Sequence, residues 1–395
     1  MIFTTFIIHI LIKWDTRTIE KNLKSIIRSP TRHRSELALF VHRPIYRHII
    51  YSQPESPFST NLASLISIIN TLDIQQDPCI INLRIQLNEA TKGSQEYLRI
   101  DQELSKVVQK GNSFSQKGFN DFLRAAQSIC FDVGPWAADW FICKVMDQIR
   151  QAADPYNNMM SAWENEERKY LLSILNRIVV SPISFEEEDV MDSSEKTNAL
   201  INCLLMEKVE AESNDDSYSV IIFVQRRTTA IALGELLKCH PLTKDVFRVG
   251  ILLGSSDIAS RRTMMDISHT LVKESQENTL ADFKIGETNV IVSTSVGEEG
   301  LDIQACCSVI RWDPPPNMAS WAQSRGRARK KRSTFTIMFE EGTRQRECVA
   351  KWEIYERQMV ALYSDPSRNL PLIHDEGQDV SDDDNDMEFQ VESTG

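Results

Sequence analysis

Between about residues 61 and 180, apolar residues recur at three- and four-residue intervals. Leu62, Leu65, Ile66 and Ile69 form one such stripe, and Trp136, Trp140, Phe141, Val145 and Ile149 form another after the start signal Gly134-Pro135. No alternating strand pattern interrupts this stretch. The expectation is a helical bundle of about 120 residues, with the aromatic side chains in its core. An earlier helical pattern covers 15 to 43, with Ile19, Leu23, Ile26 and Ile27 on one face before Pro30 breaks it.

Past Val180 the texture changes. Pro182 and the acidic stretch Glu186 to Asp189 mark a boundary, and short Val/Ile-rich runs then alternate with helical patterns. The expected strands are Ser219–Gln225, Val246–Leu252, Asn289–Ser293, Ser308–Trp312 and Thr334–Phe339. The expected helices are Glu195–Lys208, Arg227–Cys239, Ser260–Phe283, Met318–Gly326 and Thr343–Tyr363. This rhythm is that of βαβ units, and runs apolar on both faces suit a parallel sheet buried between helix layers.

Composition narrows the class. With 42% hydrophobic and 25% charged residues over 395 positions, the chain can build two or three cores. Gly and Pro are scarce, 14 of each, which disfavours an all-β barrel. The formal charge of -12 argues against bulk attraction to nucleic acid, but nine acids after Pro371, with no Lys or Arg among them, supply -9 of it and leave -3 for residues 1 to 371. That tail is too polar to fold by itself and is expected to be disordered. Eight cysteines without a C-x-x-C pair suit a reducing, intracellular compartment, cytoplasm or nucleus, and offer no common zinc motif. The apolar run Met1 to Ile12 is too short to span a bilayer and lacks a basic start or cleavage site, so it reads as a buried strand or a false start.

Two segments carry candidate chemistry. In Asn289-Val-Ile-Val-Ser-Thr-Ser-Val-Gly-Glu-Glu-Gly-Leu-Asp-Ile303 a buried strand runs into a loop of hydroxyls, glycines and acids. Thr294, Ser295 and Gly297 can meet phosphate oxygens, and the carboxylate of Asp302 suits ribose hydroxyls. In Gln323-Ser-Arg-Gly-Arg-Ala-Arg-Lys-Lys-Arg332 six of ten residues are basic, and they are expected to aim at the same end of the sheet. Arginines so placed can grip a triphosphate and offset the charge of phosphoryl transfer. Alone, this second run also reads as a basic surface patch or localisation signal.

In this order and spacing the two segments resemble motifs V and VI of superfamily 2 RNA helicases, with wording similar to the Dicer and RIG-I-like branch. Val220-Ile-Ile-Phe-Val-Gln225 is similar to motif IV, and Leu280-Ala-Asp-Phe-Lys-Ile-Gly286 to the usual lead-in to motif V. Ile19-Glu-Lys-Asn-Leu23, Ser29-Pro-Thr-Arg-His-Arg-Ser-Glu-Leu37 and Val41-His-Arg-Pro44 are similar to the end of the first RecA-like domain in fungal Dicer-like proteins, and Met387 to Gly395 resembles the entry to the Dicer dimerisation domain.

The resemblance implies an α/β fold: a RecA-like parallel sheet, the second helicase domain, at 181–365, preceded by an all-α helical insertion domain at 61–180. Residues 1–60 would be the end of the first RecA-like domain, and 366–395 an acidic linker. It further implies that Arg327 is an arginine finger, with Gln323, near the γ-phosphate of ATP. Asp302, Gly300 and Lys330 would also belong to the nucleotide site, and Gln225, Thr294 and Ser295 would contact double-stranded RNA. Either Arg329 or Lys330 would serve as the second basic finger. The expected activity is that of an ATP-dependent helicase module in RNA interference and antiviral silencing. None of the 14 glycines is followed by Lys, so these residues hold no phosphate loop, and no DExH box is present. The ligands of Mg²⁺ are likewise not expected in this chain, which would need a first RecA-like domain to turn over ATP. The alternatives are a non-enzymatic RNA-binding fragment and part of a RIG-I-like or DNA-repair translocase.

Overall fold

The computed structural model describes residues 42–53, 56–110, 113–152, 165–183, 191–253, 276–294 and 306–364. The expected helix at 15–43, apart from its last two residues, and the whole acidic tail lie outside the described residues. So do the apolar run at 1–12 and most of the helix expected at Ser260–Phe283.

The helical region has six described helices: α1 (Thr60–Asn70), α2 (Pro78–Glu89), α3 (Gln95–Lys110), α4 (Phe114–Asp132), α5 (Pro135–Ala152) and α6 (Asn165–Leu175). Their starts are written in side chains. Ser59 caps α1, accepting from the Leu62 amide, and its hydroxyl donates to Asp139 on α5 at 2.6 Å. Asp77 caps α2, which opens on Pro78, and Ser113 caps α4. Trp136, Trp140, Phe141, Val145 and Ile149 are all core residues, as their spacing predicts.

The sheet region follows with α7 (Glu195–Ser213), β2 (Val220–Phe223), α8 (Arg227–Cys239), β3 (Val249–Leu252), α9 (Gln276–Ile285), β4 (Val290–Ser293), β5 (Ser308–Arg311), α10 (Met318–Arg325), β6 (Thr334–Glu340) and α11 (Gln345–Ser364). All five expected strands form. A sixth, β1 (Ile45–Tyr51), precedes the helical region, and the sheet order is β1-β6-β5-β2-β4-β3 with every pairing parallel. Strands β2 to β5 are buried at every position, as a parallel sheet covered on both faces requires. At Gly234 in α8 a Cβ would stand 2.6 Å from Ile251 Cγ1, so the missing side chain lets α8 lie close on β3.

Strand β1 belongs to residues 1–60, the stretch expected to close a preceding domain, yet Ile45 to Tyr51 pair in register with Thr334 to Glu340. Its partner lies almost 290 residues away, and nothing in the local pattern of Ile45 to Tyr51 signals a pairing at that range.

The helical and sheet regions share one core. Leu65, Phe122, Trp140 and Leu171 belong to the same buried cluster as Leu200, Ile222, Leu233 and Val292. The junction is tight at Gly134, where φ is +133° and a Cβ would meet the Ser193 Cα at 2.6 Å. There the Trp136 amide donates to the Asp192 carbonyl (3.1 Å) and the Ser194 amide to the Val133 carbonyl (2.9 Å). Residues up to Val349 form one compact unit, and the remainder of α11, from Ala350, belongs to a second.

Candidate functional site

In a parallel sheet all strand starts share one edge and all strand ends the other, so the candidate residues can be assigned by edge. At the carboxyl edge, β2 ends near Gln225 and β4 near Thr294. The Val224 amide donates to the Ser293 carbonyl (2.9 Å) and the Thr294 amide to the Leu252 carbonyl (3.2 Å). Gln225 is exposed. Its amide donates to Asp313 Oδ2 at 2.7 Å, and its Nε2 to the Pro314 carbonyl at 3.3 Å. Thr294 is buried at 5% exposure, so of the described candidates for RNA contact only Gln225 offers its side chain to solvent.

The basic segment lies at the opposite edge. Helix α10 starts past the end of β5, capped by Asn317, and returns antiparallel to the strands. Its C-terminal loop therefore precedes the start of β6. The Cys306 amide donates to the Arg327 carbonyl (3.1 Å), Cys306 bridges Ala328, and the Thr334 amide donates to the Cys307 carbonyl (2.9 Å). Lys330 Nζ donates to Ser217 and Ser219 just before β2, at 3.0 to 3.2 Å. A helix between two parallel strands must carry its end back to the strand starts, so the Arg327 loop lies at the edge opposite Gln225 and Thr294. Strands of four residues set the two edges about 10 Å apart.

Ser295, Gly300 and Asp302 lie outside the described residues.

Gln323 and Arg327 are half-buried at the amino edge. Three arginines of the segment make defined contacts. Arg325 donates to the Tyr46 hydroxyl of β1 at 2.9 Å and stacks over Trp321 with its Cζ 4.7 Å from the ring centroid. Arg329 Nε bonds the Gly326 carbonyl, and Arg332 holds Asn214 and Asp216. Guanidinium and ammonium groups gathered on one loop are the right donor set for a polyphosphate. Among the described residues no group of His, Cys, Asp or Glu could hold a metal ion, and no helix is long and apolar enough to cross a membrane.

Sequence reasoning missed a charged cluster behind Gln225, formed by the buried Lys196 and the half-buried Asp132 and Asp313. It also missed Tyr46. Asp313 had a visible signal, an acid between the end of a strand and three prolines, whereas Lys196 looked like any polar residue in a helical first turn.

A parallel sheet with one phosphate-suited edge at the strand starts and a polar loop at the strand ends defines the class: a RecA-like helicase domain. The model of the helicase conserved C-terminal domain matches residues 195–331. Dicer-like protein 2 of Aspergillus oryzae is 34% identical over 96% of this chain and 26% of its own length, and that of Neosartorya fischeri 35% identical over 90% and 25%. Dicer-like protein 2 of Cryphonectria parasitica is 29% identical over 96% of this chain and 25% of its own. Residues 195–331 thus match a helicase C-terminal domain, and over most of its length the chain is similar to a helicase-containing part of fungal Dicer-like proteins. It spans about a quarter of the length of these relatives. Among solved structures, the Pyrococcus furiosus Hef helicase domain is 20% identical over 84% of this chain and 63% of its own, at a TM-score of 0.36.

Proposed function

We propose that this chain is the second RecA-like half of an ATP-dependent helicase module that acts on double-stranded RNA, in the setting of RNA silencing and antiviral defence. In this reading Gln323 and Arg327 address the γ-phosphate, and Gly300, Asp302 and Lys330 complete the nucleotide site. Gln225 and Ser295 would meet the RNA backbone, with the buried Thr294 anchoring the end of β4 beneath them, and the duplex would be read through shape and 2′-hydroxyls. The observation that carries it is the separation of the two edges: the Arg327 loop lies at the strand starts and Gln225 lies exposed at the strand ends. Two phosphate-bearing ligands, one per edge, could then be held at the same time.

Arg327 would supply positive charge where phosphoryl transfer builds negative charge, and the half-burial of its side chain would strengthen that interaction. These 395 residues hold no phosphate loop, so turnover needs a domain that carries one. Joined to the phosphate-loop domain of a Dicer-like relative, the chain should hydrolyse ATP faster when double-stranded RNA is added, and Arg327→Ala should lower kcat by about 10³-fold. Equal turnover in Arg327→Ala and the parent would overturn the arginine-finger role.

A further inference from the structure

Lys196 is the second residue of α7, where the positive end of the helix dipole disfavours a cation. Its side chain is only 4% exposed. Burial lowers its pKa, and the neighbouring carboxylates oppose that shift. An ammonium in such a place costs stability unless its surroundings are built for it. Here they are: Asp313 Oδ1 lies at 3.6 Å and Asp132 Oδ1 at 3.9 Å, and the rings of Trp312 and Tyr51 stand 4.4 and 4.9 Å away.

The second oxygen of Asp313 is the one that accepts from the Gln225 amide. A continuous polar path therefore runs from Asp132, at the end of α4, through Lys196 to Asp313 and on to the backbone of the exposed loop after β2. Arg226, next in that loop, reaches back to Asp132 at 3.9 Å.

We propose that Lys196 is a positioning residue for the loop Gln225-Arg226: by fixing the Asp313 carboxylate between β5 and β2, and Asp132 on the helical side, it holds that loop in the orientation that meets RNA. The inference rests on the proposed RNA-binding role of the carboxyl edge. Lys196 touches no ligand itself and acts through Asp313.

The test uses the 395-residue chain carrying ¹⁵N-glutamine, as wild type and as Lys196→Met and Lys196→Arg, with folding checked by circular dichroism. In Lys196→Met the Gln225 amide resonance should move and its hydrogen exchange should quicken, while glutamines on α2 and α3 stay in place. Lys196→Arg keeps the charge and should shift the resonance less. Filter binding of double-stranded RNA should weaken about tenfold in Lys196→Met and recover in part in Lys196→Arg. Should Lys196→Met fail to fold, Lys196→Gln, which likewise removes the charge, takes its place. A Gln225 resonance unmoved in every folded variant overturns the positioning role, as does unchanged RNA affinity alongside a displaced resonance. A displaced resonance in a chain whose wild type binds no RNA leaves the link to Asp313 standing and instead overturns the RNA role of this edge.

Discussion

Glu207 is a carboxylate with every reason to be charged except its location. It accepts from the Thr334 hydroxyl at 2.7 Å and from the Tyr218 hydroxyl at 3.3 Å, and Arg47 lies 3.8 Å away, yet the residue is only 4% exposed. Burial raises its pKa above the usual 4.5, and the hydrogen bonds and Arg47 recover only part of the cost. An acid whose folded pKa is raised binds its proton more tightly in the native state. Its contribution to stability is thus greatest below about pH 4.5 and is lost as pH rises through the raised value. Glu207→Gln keeps an acceptor for Thr334 and removes the titration. Urea midpoints measured from pH 4 to 8 should show the variant gaining on the wild type as pH rises, and a difference that is flat or shrinks would contradict this assignment. The charged residues that matter most were the least legible at this scale. The family wording singled out Arg327 and Gln323 as candidates, whereas Lys196, Glu207 and Asp132 resemble any helix-surface residue until the sheet is seen against them.

At the scale of elements, periodicity served where contacts are local. The Trp136 to Ile149 stripe and the helix Arg227–Cys239 appear where the pattern puts them, because each is specified by neighbours three and four residues away. Strand β1 was not legible, since its stabilising partner is β6, and the edge assignment of the basic loop depended on the path of α10 between parallel strands. The caps are intermediate: each is visible as a residue type, but their pairing is not. Asp77 accepts from the Cys79 amide at 2.9 Å to start α2, while its other oxygen accepts from Ser113 Oγ at 2.6 Å. Ser113 Oγ in turn accepts from the Gln116 amide at 3.2 Å to start α4. Each cap thus supports the other in a buried site. Asp77→Ala and Ser113→Ala should each cost about 1 to 2 kcal/mol. The double variant should cost less than their sum by at least about 0.5 kcal/mol, the sign of direct coupling. Strict additivity in denaturant titrations would show the two caps to be independent.

For the molecule as a whole, the pattern changes near residue 181, from a helical region to a sheet region. The two regions share a single buried cluster, with Phe122, Phe141 and Leu171 on one side and Ile222, Leu233 and Val292 on the other. Helix α8 mediates, packing against α4 and α5 on one face and β3 and β4 on the other. The Gly134 approach and the Asp132–Lys196 pair bind the same seam from its polar side. A shared core makes separate unfolding costly, because opening either region exposes the apolar face of the other. Residues 42–349 should therefore unfold in one cooperative transition. Native-state hydrogen exchange should return the same opening free energy for the slowest amides of α5 and of β4, and both should fall in step as urea is added. Two separated transitions, with α5 amides released while β4 stays protected, would mean that the helical region is an independently stable domain.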